Sequence, residues 1–275
     1  MTERHPRATL PRSACLPINR CNLPAVILGS LTFQQHPARL YIDGVAALHR
    51  DLFRRLDAIN DAGNRAQQFL DYMSVHFRLH HPDEAGLSEN SRLDRSRADY
   101  LRLLRGWGFD AEGRDAAVLK GWVESRFGLL PRFHRQPIRS TDEAAYHAFR
   151  HAYAEGLYNT NSLEAQLDLL YSYCQYELYR QQPETTHLTL YRGNNDIEQL
   201  KHPDNGENGN PLLLLNNLNS FSASIERASE FGDQVFRIAV PLSKIFFHAE
   251  LIPRYLKAEN EYIVLGGVYA FERVM

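Results

Sequence analysis

The chain has 275 residues, 44% of them apolar and 23% charged, with 31 basic and 33 acidic side chains and a formal net charge of −2. That is enough chain for one large or two modest domains with a real core. The near-neutral balance argues against a nucleic-acid binder working through a broad basic surface. No apolar run approaches the roughly 18–20 residues that span a bilayer. The opening MTERHPRATLPRSAC has basic residues with no apolar stretch behind them, so no signal peptide is expected. Cys15, Cys21 and Cys174 form no C-x-x-C and read as reduced structural thiols, as expected of a cytoplasmic protein.

Val45, Leu48, Leu52, Leu56 and Ile59 recur at helical spacing, as do Ala66, Phe69, Leu70, Met73 and Phe77. His76, His80 and His81 in HFRLHHPDE come near metal-ligand spacing, but Arg78 and Pro82 interrupt it. A solvated helix end is the reading, and no metal is expected. In RLDRSRADYLRLLRGWGF, Arg92, Arg95, Arg97, Arg102 and Arg105 crowd together. They read either as a solvated face paired with Asp94 and Asp99 or as a docking surface for an acidic protein. Val118, Leu119, Trp122 and Phe127 mark a middle helix. The clearest helix opens at NSLEAQLDLLYSYCQYEL, where Asn161 and Glu164 have capping-box spacing and Leu163, Leu167, Leu170, Cys174 and Leu178 form one stripe.

After Pro183 the rhythm becomes strand-like. HLTLYRG, PLLLLNN, VFRIAV, KIFFHA, EYIVLG and VYAFERV follow one another, with the turn-rich NNDIEQLKHPDNGENGN between the first two. Helices first and strands afterwards, without βαβ alternation, predict an α+β fold. The expected division is a mainly helical segment over 1–182 and a β-rich core over 183–275, with the helix at 161–180 packed on that core.

Three short motifs in the strand-rich part bear on chemistry: YRG at 191–193, SFS at 220–222 and ENE at 259–261. Singly, each has an ordinary reading as an ion-pair residue, a turn or a solvated face. Together they supply parts of one reaction. Arg192 at a strand end can offer its guanidinium fork to a diphosphate. The Ser220 and Ser222 hydroxyls are expected on opposite faces, so that one orients a carboxylate while the other points away. Glu261 is fixed by the strand it opens, and Glu259, on a turn, reaches over the same cleft.

The order R…S-x-S…E-x-E resembles mono-ADP-ribosyltransferases of the arginine–serine–glutamate type, and Ala228 and Phe231 fall where that superfamily has an alanine and an aromatic. The resemblance widens to the dinitrogenase-reductase ADP-ribosyltransferase family through LPINRCNLPAVILGSLTF, RADYLRLLRGWGFD, AVLKGWVESRFGLLP, LLNNLNSF and EFGD. It implies a mixed β-core whose cleft binds NAD as substrate, with phosphates near Arg192 and Asn217. It further implies that the Gly193 backbone holds the nicotinamide amide, Phe231 stacks on the nicotinamide ring, Ser220 and Ser222 line the site, and Ser220 holds Glu261. Glu261 would stabilise the cation formed as the glycosidic bond breaks, and Glu259 would serve an arginine acceptor. That acceptor would be nitrogenase iron protein, whose modification reversibly switches off nitrogen fixation, and a PII-class signalling protein would be a regulatory partner. Phe221 departs from the Thr that many superfamily members carry. Gly266-Gly267 does not make a Rossmann fingerprint. Another protein acceptor, water as acceptor, or a non-catalytic NAD- or PII-binding role are the alternatives at this point.

Overall fold

The computed structural model describes residues 8–79, 98–158, 160–204, 206, 209–252 and 261–274. Helices α1 (Ala25–Leu28), α2 (Leu31–Gln35), α3 (Val45–Leu48), α4 (Arg50–Asp57), α5 (Ala62–Phe77), α6 (Tyr100–Phe109) and α7 (Arg114–Phe127) come first. The small hairpin β1 (Phe133–His134) and β2 (Gln136–Pro137) precedes α8 (Ala144–Gly156) and α9 (Ser162–Gln181). The remainder is β3 (His187–Asn194), β4 (Leu212–Ser222), the short α10 (Ile225–Ser229), β5 (Gln234–Pro241), β6 (Ile245–His248), β7 (Glu261–Ala270) and β8 (Glu272–Arg273). This is the expected α+β order. The last six strands form one sheet, β6-β7-β4-β3-β5-β8, and every pairing is antiparallel where a mixed core was expected.

Two helices anchor the sheet because they are buried on more than one face. In α7, Val118, Leu119, Trp122, Val123 and Phe127 are fully buried, and Lys120, Glu124 and Arg126, on its other faces, are buried as well. Asp168 of α9 accepts from Trp122 Nε1 at 2.7 Å and takes the Arg126 fork at 2.7 and 3.0 Å, which bolts the two helices together. Helix α9 meets the sheet through Gln175, whose amide donates to Ile245 O at 2.7 Å and Leu242 O at 3.1 Å. The leucine–cysteine stripe of α9 is buried as its spacing predicts.

Strands β3 and β4 share a single paired position, Tyr191↔Ser222. The sheet is thus two three-stranded halves joined at one point. Gln34 of α2 spans the halves elsewhere: its amide nitrogen donates to Ala239 O of β5 and Ala270 O of β7, and its oxygen accepts from Ala270 N.

Local departures from the sequence reading have physical causes. The 45–59 periodicity is not one helix: the chain breaks at His49, between α3 and α4, and Leu48 is exposed. The capping box at Asn161 does not form, since Asn161 is itself in a helical conformation and makes no side-chain cap. Thr160 Oγ1 accepts from Ser162 N instead, and Glu164 is taken by Tyr153 and Arg126. EYIVLG and VYAFERV divide at a different place from the one expected: β7 runs unbroken through EYIVLG to Ala270, and only Glu272–Arg273 form a separate strand, β8, which pairs with β5. The loop at 194–210 contains a 3₁₀ turn, Glu198–Leu200. His76 packs its ring on Tyr72 and against His49, while His80 and His81 lie outside the described residues. Arg92, Asp94, Arg95 and Arg97 also lie outside them; Arg102 pairs with Asp115, and Asp99 caps α6 by accepting from Leu101 N. All three cysteines are free. No helix among the described residues is long and apolar enough to cross a membrane.

Candidate active site

A cleft of about 1180 Å³ opens where β3, β4 and β7 face α6, α10 and the hairpin strands. It is larger than the roughly 300–1,000 Å³ of most small-ligand pockets, so it has room for a dinucleotide. Arg105, Lys120, Arg132, Arg139, Arg192 and Arg227 line it, against Glu112, Asp196 and Glu261. A cleft with that surplus of positive charge inside a chain of negative net charge favours an anionic ligand.

Glu261 is the first residue of β7, opposite Ser222 in the register, and Ser220 sits opposite Ile263. Residues two apart on a strand share a face, so Ser220, Ser222 and Glu261 all point into the cleft. The expectation that the two serines diverge is therefore corrected by strand geometry. Their hydroxyls nonetheless do different work. Ser220 Oγ donates to Glu261 Oε1 at 2.8 Å, and Ser222 Oγ accepts from Ser224 N at 3.1 Å at the entry to α10. Phe221, between them, is buried beneath, with the Arg192 guanidinium 5.9 Å over its ring.

Arg192 comes from β3. Its Nη1 donates to Ser220 O at 2.7 Å, and its Nε is buried with no hydrogen-bond partner. Burial pushes its pKa down to about 10, still high enough to keep it charged at neutral pH. It has no carboxylate partner among the described residues. Lys120 of α7 adds a second such cation. Its Nζ donates to Phe133 O at 3.1 Å, and burial, with the nearby Arg192 charge also acting downward, brings it to about 8 against the pull of Glu112 and Asp110. A cation drawn out of water without an anion is costly, and the half-buried Arg192 beside the buried Lys120 calls for a ligand that brings negative charge.

Gly193 follows Arg192 and packs against the short helix. A Cβ there would stand 2.1 Å from Ala228 O and 3.0 Å from Gly232 N, so only glycine lets β3 lie this close to α10. That close approach carries Ala228 under the strand and leaves Phe231, just past the helix end, 69% exposed on the cleft wall. Asn217 is not in the cleft. The register shifts between Leu215 and Leu218, and Asn217 is buried behind this bulge with its amide on Lys120 O and Leu129 O. Asn216 and Asn219 line the cleft in its place. Glu259 lies outside the described residues.

Sequence reasoning missed Lys120 and Trp107, both from the helical part. Trp107 of α6 is buried, and its Nε1 donates to Ser220 Oγ at 2.8 Å. A Cβ on the next residue, Gly108, would meet Glu261 Oε2 at 3.7 Å, so the end of α6 lies beside the same carboxylate. No local spacing could link Trp107 to a serine more than a hundred residues away.

A cleft on an α+β scaffold, with an arginine on one strand, a serine on the next and a glutamate held by that serine, has the arginine–serine–glutamate arrangement of ADP-ribosyltransferases. Comparison with known proteins narrows the class. Residues 18–273 match the family described as Dinitrogenase reductase ADP-ribosyltransferase (DRAT). A curated relative, the NAD(+)--dinitrogen-reductase ADP-D-ribosyltransferase of Rhodospirillum rubrum, is 39% identical over 259 residues, covering 91% of this chain and 92% of its own. The chain belongs to the dinitrogenase reductase ADP-ribosyltransferase family. No solved structure matches it.

Proposed function

We propose that this protein transfers ADP-ribose from NAD to an arginine of dinitrogenase reductase, the nitrogenase iron protein, and so switches nitrogen fixation off reversibly. The observation that carries the proposal is the Glu261 carboxylate held by Ser220 at 2.8 Å on a cleft where Arg192, half-buried and with its Nε buried, has no carboxylate partner among the described residues. The relative's name, naming NAD as donor and dinitrogen reductase as acceptor, supports the same reading.

NAD lies with its diphosphate toward Arg192 and Lys120, which neutralise it, and with the nicotinamide between the Gly193 backbone and the Phe231 ring. The Glu261 carboxylate accepts from the ribose 2′-hydroxyl. As the bond between ribose C1′ and the nicotinamide nitrogen breaks, the electron pair leaves with nicotinamide and positive charge develops on the ribose. A fixed carboxylate aimed at that charge lowers the barrier without reorganising. The acceptor guanidinium, protonated up to a pKa above about 12, is no nucleophile in that state. Glu259, two residues before β7, orients it and takes its proton as the new bond from nitrogen to C1′ forms. The products are ADP-ribosyl-arginine, free nicotinamide and one proton. The family resemblance also supports a PII-class protein as regulator and the cytoplasm as the place of work; co-elution with a purified PII protein, present or absent, checks the former.

Nicotinamide release and transfer to arginine, measured side by side, test the reading. Glu261→Gln should abolish both, whereas Glu259→Gln should lose transfer and keep some NAD hydrolysis. Equal loss of both activities in the two variants would sink this division of labour.

A further inference from the structure

We infer that Trp107 is a positioning residue for the catalytic glutamate, acting through Ser220; the inference rests on the NAD-cleaving role of Glu261 proposed above. A serine hydroxyl has one proton and two lone pairs and rotates to suit its neighbours, whereas an indole N–H can only donate. With the Trp107 proton on one lone pair of Ser220 Oγ at 2.8 Å, the serine's single proton is left for Glu261 Oε1, also at 2.8 Å. The chain Trp107→Ser220→Glu261 thus has one direction. Without the indole, the hydroxyl is free to turn its proton elsewhere in the cleft, and the carboxylate loses a donor that fixes its rotamer.

The anchor is itself held firmly. Trp107 is 3% exposed, with the Lys120 ammonium 5.9 Å over its ring. At the other end of α6, Tyr100 N donates to Gln166 Oε1 at 2.9 Å, and Arg102 bonds Asp115 of α7 at 2.8 Å. Position 107 therefore transmits the placement of the helical part to a carboxylate on the sheet. A group that fixes geometry in the transition state should change kcat more than KM.

The test is a double-mutant cycle on nicotinamide release from NAD with Trp107→Phe and Ser220→Ala. Trp107→Phe keeps an aromatic ring in place and removes the N–H. It should lower kcat about tenfold and leave KM for NAD within about twofold. Placed on top of Ser220→Ala, it should lower kcat no further, because the atom it acts on is gone. Should Trp107→Phe fold poorly, benzothienylalanine at position 107, which swaps the N–H for sulfur at nearly the same shape, gives the same comparison. An unchanged kcat in the folded variant, or the same fold-loss with and without Ser220 Oγ, overturns the inference as a merely structural contribution. Wild-type turnover that Glu261→Gln leaves intact would instead overturn the underlying function, so the two failures are distinct.

Discussion

Gly193→Ala puts the link between strand packing and substrate binding to a direct test. The new methyl would stand 2.1 Å from Ala228 O and 3.1 Å from Ala228 C, both backbone atoms of α10. Nonbonded heavy atoms rest at roughly 3.5 Å, so strand and helix must part by about an ångström. No flexible side chain can absorb that shift. Overpacking of this kind costs about 1–3 kcal/mol, and the displaced helix takes Arg227 and Phe231 of the cleft with it. Urea unfolding should show a loss of about 2 kcal/mol at unchanged slope, and NAD titration a dissociation constant raised about tenfold. Gly108→Ala is the contrast: its methyl meets its nearest neighbour, Glu261 Oε2, at an ordinary 3.7 Å. Replacing this glycine in the last turn of α6 should therefore cost nothing and gain at most about 0.5 kcal/mol. A Gly193→Ala protein with wild-type stability and NAD affinity would refute the claim that this backbone contact shapes the cleft.

Further predictions follow from buried charge. Glu177→Ala should cost about 3–5 kcal/mol in urea unfolding, because it strands the buried Arg65 guanidinium now held at 2.6 and 2.8 Å; a loss under about 1 kcal/mol would contradict this. Lys244, fully buried with its Nζ on Gly266 O, is pushed by desolvation from an ordinary 10.5 to about 7. Between those values the unfolded chain binds a proton that the folded one does not. Stability should therefore climb as pH rises from about 7 toward 10, by at most about 1.4 kcal/mol per pH unit from this group, and Lys244→Met should flatten the slope. Lys120 loses its proton near pH 8 in the free protein. Affinity for the diphosphate should accordingly fall as pH rises through 8, and a pH profile of kcat/KM for NAD in Lys120→Met should lack that step.

Much of the site could be read from the chain because its parts are local. Arg192, Ser220 and Glu261 each sit at a strand end in a three-residue motif, and strands carry such residues to a shared edge. The helices announced themselves wherever one face met the core, as with Leu163 to Leu178. What escaped was set by tertiary contact. The bulge after Leu215 turns Asn217 away and brings Asn216 and Asn219 forward, and nothing in LLLLNNLNSF marks where the register slips. The break at His49 sits where its ring bonds Tyr72 Oη at 2.9 Å, a partner on another helix. Lys244 reads as the polar start of a strand, yet it lies between the rings of Phe33 and Tyr269. The divergence expected of Ser220 and Ser222 was an error of periodicity that strand geometry alone corrects.

The most direct test of the central claim is intact-mass and peptide mass spectrometry of purified dinitrogenase reductase incubated with this protein and NAD. The account predicts one ADP-ribosyl group on one arginine, and none when Glu261→Gln replaces the wild type. Nicotinamide released without any adduct on that acceptor, or an adduct that survives Glu261→Gln, would contradict it.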